Sequence, residues 1–176
     1  QPRSTTFGAD AVSRWQDVIE RADVDAISIC LPPFQHQQVA LAAAQAGKHV
    51  LVEKPMAMNV AEAAKMCEAA KDKKVMALID HELRFQNGRQ KAYKMLRDGE
   101  IGKIRHIKYV FRNAQRGNPD ILWNWWSDEK QGGGTLGAIG SHAIDTMQWF
   151  LGTDISSVFC QLQTHVKQRK DADGVF

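Results

Sequence analysis

Three short apolar runs, two of them closed by proline and each followed by a helical stretch, restrict this chain more than any other feature. Asp25-Ala26-Ile27-Ser28-Ile29-Cys30-Leu31 stops at Pro32-Pro33, His49-Val50-Leu51-Val52 stops at Pro55, and Val75 to Ile79 forms the third. Runs of this length, closed by proline, suit buried parallel strands better than helices. Gln35 to Ala46 is alanine-rich and ends at Gly47, a natural C-terminal cap. Asn59 is a good N-cap with Glu62 three residues on, which resembles a capping box. Behind it Val60, Ala63, Ala64, Cys67 and Ala70 follow the helical period. Gln86 to Arg97, ended near Gly99, reads as a third helix. The resulting β-α-β-α-β-α series predicts a parallel sheet covered by helices.

The pattern changes after Gly102. From Lys103 to Arg112, Ile104, His106, Lys108 and Val110 alternate with Arg105, Ile107, Tyr109 and Phe111, as in a longer strand with one wetter face. A loop rich in Asn, Pro and Trp spans Asn113 to Gln131. Gly132-Gly133-Gly134 then leads into a helix from about Leu136 to Leu151, closed by Gly152, and Ile155 to Val166 reads as another long strand. The expected fold class is α/β: a parallel sheet over residues 1–102, then part of an α/β domain with a mostly antiparallel sheet over residues 103–176. The chain opens in what reads as the tail of an earlier unit and stops just after a charged turn, Arg169 to Asp173. Two strands do not complete a sheet domain, so both ends read as cut.

Bulk properties narrow the function classes. No apolar run approaches the roughly 18 residues that span a bilayer, and Gln1 to Asp10 does not have the pattern of a secretory signal. The net charge of +3 is scattered; its densest cluster, Lys71, Lys73 and Lys74 around Asp72, reads as a solvated helix end. No nucleic-acid partner is expected, since that would need a larger basic face with interleaved aromatics. The 3 cysteines are far apart and form no CxxC, which predicts a reducing, cytoplasmic setting without a disulfide framework or zinc ribbon.

Three stretches together carry a family resemblance. They are Ile27-Ser28-Ile29-Cys30-Leu31-Pro32-Pro33 with His36, then Glu53-Lys54-Pro55 directly after a strand, then Gly132-Gly133-Gly134-Thr135-Leu136 followed by Gly140-Ser141-His142-Ala143-Ile144-Asp145. In this order and spacing the chain resembles the Gfo/Idh/MocA oxidoreductases, named for glucose-fructose oxidoreductase and inositol dehydrogenase. The resemblance implies a partial NAD(P)-binding Rossmann domain, then part of the substrate domain. The family normally has a first strand and a GxGxxG turn upstream, and nothing before Phe7 is expected to supply them here. It also implies NAD or NADP as cofactor, a sugar, polyol or related hydroxy compound as substrate, and a homo-oligomer.

Lys54 is the strongest candidate for chemistry. It follows a strand, at the edge of a parallel sheet where ligands bind, and a lysine there can donate to a substrate oxygen. The resemblance implies that Lys54 is catalytic and also near the cofactor, that Glu53 touches the nicotinamide ribose, and that the peptide before Pro55 is cis. A tight X-Pro turn suits that geometry. His142 and Asp145 lie three apart on a helix and share a face. The family reading makes His142 a catalytic proton-transfer partner and Asp145 a substrate contact; a buried structural pair is the competing reading. The resemblance places Leu31, Pro32 and His36 beside the cofactor's adenosine half, the alternative being a rigid turn with a helix-start histidine, and Arg84 near the cofactor or the active site, the alternative being a surface arginine. Trp123 and Trp126, beside Trp125, could stack on the apolar face of a sugar, the alternative being a hydrophobic plug. One departure stands out: the family often has an aspartate four residues before this histidine, where this chain has Ala138.

Two motifs mislead. Gly132, Gly134 and Gly137 spell GxGxxG, but no strand precedes them, so they are expected to admit close backbone approach to the substrate and to start a helix. Asp80-His81-Glu82 looks metal-like, but neighbours on a strand face opposite ways, and no metal is expected. The favoured expectation is an NAD(P)-dependent oxidoreductase. A non-catalytic fragment or binding protein without cofactor affinity is the first competitor, and a metal-dependent hydrolase using His81, His142 and Asp145 is the second.

Overall fold

The computed structural model describes residues 8–175. Residues 1–7, most of the stretch read as lacking a secretory signal, lie outside the described residues, as does Phe176. The chain forms two compact units, one ending at Asp80 and one starting at His81. Gly102, where the sequence pattern changes, lies within the second.

The first unit runs α1 (Trp15–Ile19), β1 (Ala26–Ile29), α2 (Pro33–Gln45), β2 (His49–Glu53), α3 (Val60–Asp72) and β3 (Ala77–Asp80). The strands form one parallel sheet in the order β1-β2-β3, with Ile27 beside Val50 and Val52 beside Ile79. Parallel neighbours need a crossover to bring the chain back to the same end, and α2 and α3 supply it.

Local chemistry sets the helix ends. Pro33 stands in the first turn of α2, where its missing N–H costs nothing, so the helix starts two residues earlier than the alanine run suggests. Its far end is a Schellman closure: Gly47 takes φ +75°, its N–H donates to Ala44 O at 2.9 Å, and Lys48 N–H donates to Ala43 O at 2.9 Å. At α3 the Asn59 side chain accepts from Glu62 N at 3.0 Å, while Glu62 reaches back to Met58 N at 3.0 Å. The reciprocal cap is present, shifted one residue from the usual backbone donor.

The core is Ile19, Ile29, Val39, Ala40, Ala43, Val50, Val52 and Met66. Burying each larger side chain contributes about 1.5–3 kcal/mol. The sheet is covered less fully than its apolar runs predict. Val50 and Val52 are buried, but Leu51, Met76 and Leu78 are exposed. With sequential strands and right-handed crossovers, successive helices fall on the same face, so among the described residues one face is packed.

The second unit holds a 3₁₀ turn (Glu82–Phe85), α4 (Asn87–Arg97), three further 3₁₀ turns, a π turn (Leu136–Gly140) and α5 (Ser141–Leu151). Gly152, at φ +65°, ends α5. Helices α4 and α5 are joined by Tyr93 stacked on Trp149 at 4.4 Å and by Arg89 Nη1 donating to Thr146 Oγ1 at 2.5 Å. The long strands expected at 103–112 and 155–166 are corrected here: neither belongs to a ladder, and among the described residues the sheet has three strands. Alternation reports which side chains suit an extended chain, but a strand exists only when a neighbour accepts its hydrogen bonds. Among the described residues neither segment has such a neighbour.

Candidate functional site

Parallel strands deliver all their C-terminal ends to one edge. In the first unit that edge carries Cys30-Leu31-Pro32 after β1 and Lys54-Pro55-Met56 after β2. Crevices along such an edge are where open α/β sheets bind ligands. Glu53 is the last residue of β2, and its Oε2 accepts from Lys54 N at 3.2 Å. The Lys54–Pro55 peptide is cis, and the loop is seated by Met56 and Ala57, which pack on the core. Lys54, Pro55, Leu31 and Pro32 are all half-buried. Backbone anchored on apolar contacts, with a polar pair at its tip, is a suitable base for holding a reacting group.

His36 lies behind this edge. It is fully buried, with Nε2 at 2.7 Å from Leu31 O and Nδ1 at 3.0 Å from Pro55 O. Its ring faces loop carbonyls and has no surface open to a ligand.

In the second unit the polar residues converge around the start of α5. Asp145 is buried and accepts a two-pronged bond from Arg84, Nε at 2.9 Å and Nη2 closer still. This bond to Asp145 is the chief reason the Arg84 guanidinium is held above its usual pKa, against the opposing effect of burial. His81 Nε2 stands 3.5 Å from Asp145 Oδ1, and His142 Nε2 is 3.7 Å from Glu82 Oε1. Arg84 and Asp145, read separately from the sequence as cofactor and substrate contacts, are thus partners of each other. His81 and Glu82 fall outside β3, so strand alternation does not govern them, and they face Asp145 and His142. No group of three or more metal-ligating side chains occurs among the described residues.

The tryptophan loop borders a cleft of about 630 Å³. Trp123 and Trp126 line it with Arg116, Thr135 and Arg169. Arg116 lies over the Trp126 ring at 4.7 Å. Arg169 Nη1 donates to Asn118 O at 2.7 Å and Ile121 O at 3.0 Å, and Trp123 N donates to Lys170 O at 2.7 Å. Sequence reasoning missed Arg116 and Arg169, because neither stands in a motif and Arg169 acts across about fifty residues of chain. The glycines also differ from expectation. A Cβ on Gly133 would fall 2.5 Å from Trp125 O and 2.6 Å from Trp126 O, so the close approach it permits is to the chain's own tryptophan loop. The π turn that follows positions Ser141, whose Oγ donates to Gly137 O at 2.6 Å, and keeps Ala138 buried.

A parallel sheet with crossover helices, whose strand ends carry a Glu-Lys-Pro loop, defines a Rossmann-type α/β unit of the nucleotide-binding class. Residues 2–81 match the model of the oxidoreductase family with an NAD-binding Rossmann fold, and residues 89–176 match the GFO/IDH/MocA C-terminal domain. The chain belongs to the Gfo/Idh/MocA oxidoreductase family, whose relatives are named oxidoreductases and dehydrogenases. It is 30% identical over 170 residues to levoglucosan dehydrogenase of Pseudarthrobacter phenanthrenivorans, covering 96% of this chain and 43% of that protein. The crystal structure of an oxidoreductase domain protein from Kribbella flavida superposes with a TM-score of 0.90 at 33% identity, over 97% of this chain and 47% of that one. A levoglucosan dehydrogenase in complex with NADH and levoglucosan superposes with a TM-score of 0.83 at 28% identity, over 98% of this chain and 47% of that one. The chain therefore spans less than half the length of these relatives.

Proposed function

We propose that this chain forms part of an NAD(H)- or NADP(H)-dependent oxidoreductase acting on a hydroxyl group of a sugar, polyol or related compound. One observation carries the reading: Glu53-Lys54-Pro55 stands at the C-terminal edge of the parallel sheet, with Lys54 half-buried on an anchored loop. A levoglucosan dehydrogenase holding NADH and its sugar supports the class.

The residues at that edge fit the nicotinamide end of such a cofactor. Glu53 offers a carboxylate to ribose hydroxyls, Lys54 offers a donor to an oxygen beside the ring, and the Leu31-Pro32 backbone borders the same edge. A bound nicotinamide supplies the hydride chemistry. The protein's share is to orient and to manage a proton. Lys54 donates to the substrate oxygen and stabilises negative charge developing there. His142 serves as a proton-transfer partner for the hydroxyl. Trp123 and Trp126 offer aromatic faces to a pyranose ring. Asp145 acts on the substrate through the groups it orders, Arg84 and His81. In this reading the protein works as a homo-oligomer in the cytoplasm.

The test is a titration with NADH and NADPH followed by tryptophan fluorescence, then a screen of sugars and polyols. Saturable binding, with turnover of a hydroxy compound, is the expected outcome. No binding at roughly millimolar cofactor, a Kd worth only about 4 kcal/mol, would favour the non-catalytic alternative.

A further inference from the structure

We infer that His36 is a positioning residue: its ring ties the loop after β1 to the loop after β2 and so holds the backbone that carries Lys54. The inference rests on the reading of Lys54 as the catalytic lysine.

His36 sits on the buried stripe of α2 with Val39, Ala40 and Ala43. At helical spacing these positions form one face, and its other members are apolar and belong to the core. A histidine in that row needs a reason, because a buried polar group without partners is costly. The reason lies in the carbonyls opposite. Leu31 O and Pro55 O belong to the irregular backbone past the strand ends, outside any ladder, and buried carbonyls require donors. The ring meets both, at 2.7 Å and 3.0 Å. A neutral imidazole carries one N–H and donates to one of the two carbonyls; a doubly protonated ring donates to both.

Pro55 is the residue directly after Lys54, and its carbonyl lies in the peptide plane that joins it to Met56, so the bond to His36 restrains the loop one residue past the lysine. On the other side Met56 and Ala57 are seated on the core, and Glu53 Oε2 accepts from Lys54 N. The lysine loop is thus held at three successive points, and His36 is the only one of the three that also reaches the loop after β1. A ring with no exposed surface works through these two loops without touching a ligand.

The experiment compares His36→Leu, His36→Gln and Val39→Ala in the protein. Val39→Ala is the control: it removes core packing from the same helix face without touching either carbonyl. Hydrogen exchange at the Met56 and Ala57 amides reports the loop directly, and turnover against KM reports its consequence. In His36→Leu, exchange at these amides should rise and kcat should fall about tenfold to a hundredfold, with KM held within about threefold, as for a displaced reacting group. His36→Gln keeps an N–H donor and should recover much of both. Val39→Ala should lose stability while keeping kcat within about twofold. The inference is overturned if His36→Leu leaves exchange at residues 56 and 57 unchanged, or if it behaves as Val39→Ala does in both readouts. Should His36→Leu fold poorly, the same comparison runs between His36→Gln and wild type, with a partial shift expected and none overturning the inference. If Lys54→Ala keeps full turnover, the catalytic reading of Lys54 falls, and the exchange data alone decide whether His36 holds the loop.

Discussion

At the scale of single residues, two side chains carry opposite kinds of test. Lys54 stands on a half-buried loop at the sheet edge, and a proton donor placed there contributes about 10²–10⁴-fold to turnover. Lys54→Ala should therefore lower kcat by that factor while NADH binding persists; steady-state kinetics beside a cofactor titration separates the two, and an unchanged kcat would remove Lys54 from the chemistry. Asp145 is a matter of stability first. Its carboxylate is buried against Arg84, whose side chain is 39% exposed, so water screens part of the pair's worth. Asp145→Ala should cost about 1–3 kcal/mol in urea unfolding. A double-mutant cycle with Arg84→Ala should be non-additive by about 0.5–3 kcal/mol; simple additivity would mean the two side chains do not support each other. The place of Lys54 at the sheet edge, after β2 and before a cis proline, was legible in the sequence because its neighbours Glu53 and Pro55 form a local motif. The Asp145–Arg84 pairing was not, since the partners lie 61 positions apart and each fitted a separate role.

At the scale of elements, what the sequence disclosed was what local chemistry decides. The Gly47 closure of α2 and the Asn59 cap of α3 follow from residue types within a few positions of each helix end, and both are present in the structure. Asn59→Ala should cost about 1 kcal/mol, through loss of the bond from Glu62 N, and Asn59→Asp should keep most of it. Equal melting temperatures for Asn59→Ala and wild type would mean that the Glu62 bond to Met58 N satisfies the helix start by itself. The π turn at Leu136–Gly140 was not legible. It shares the composition of the helix it precedes, and what distinguishes it is the backbone register between Gly134 and Ser141, with Ala138 N bonded to Gly134 O at 3.1 Å. The tight seat of Gly133 beneath Trp125 and Trp126 was equally hidden, because three consecutive glycines do not reveal which of them meets another part of the chain.

At the scale of the whole molecule, the sequence predicts strands wherever side chains alternate, but hydrogen-bonded ladders depend on what stands beside them. Residues 26–29, 49–53 and 77–80 pair with one another. Residues 103–112 and 155–166 have the same extended preference but no ladder among the described residues, and they leave Val110, Phe111, Val158, Phe159 and Leu162 exposed. Backbone amides without ladder partners exchange quickly, whereas those of a packed strand open only with sub-global unfolding. Hydrogen exchange read by mass spectrometry on the 176-residue chain should therefore show strong protection over β1 to β3 and fast exchange over 103–112 and 155–166 at low concentration. Unpaired edges with apolar side chains are templates for pairing with other backbone. Raising the protein concentration should slow exchange in these two segments, if the homo-oligomer implied by the family resemblance forms through them. Protection that is strong at every concentration would mean the segments pair within one chain, against the architecture described above. Fast exchange at every concentration would leave the three-stranded sheet as the ordered β-structure and place any association of copies on another surface.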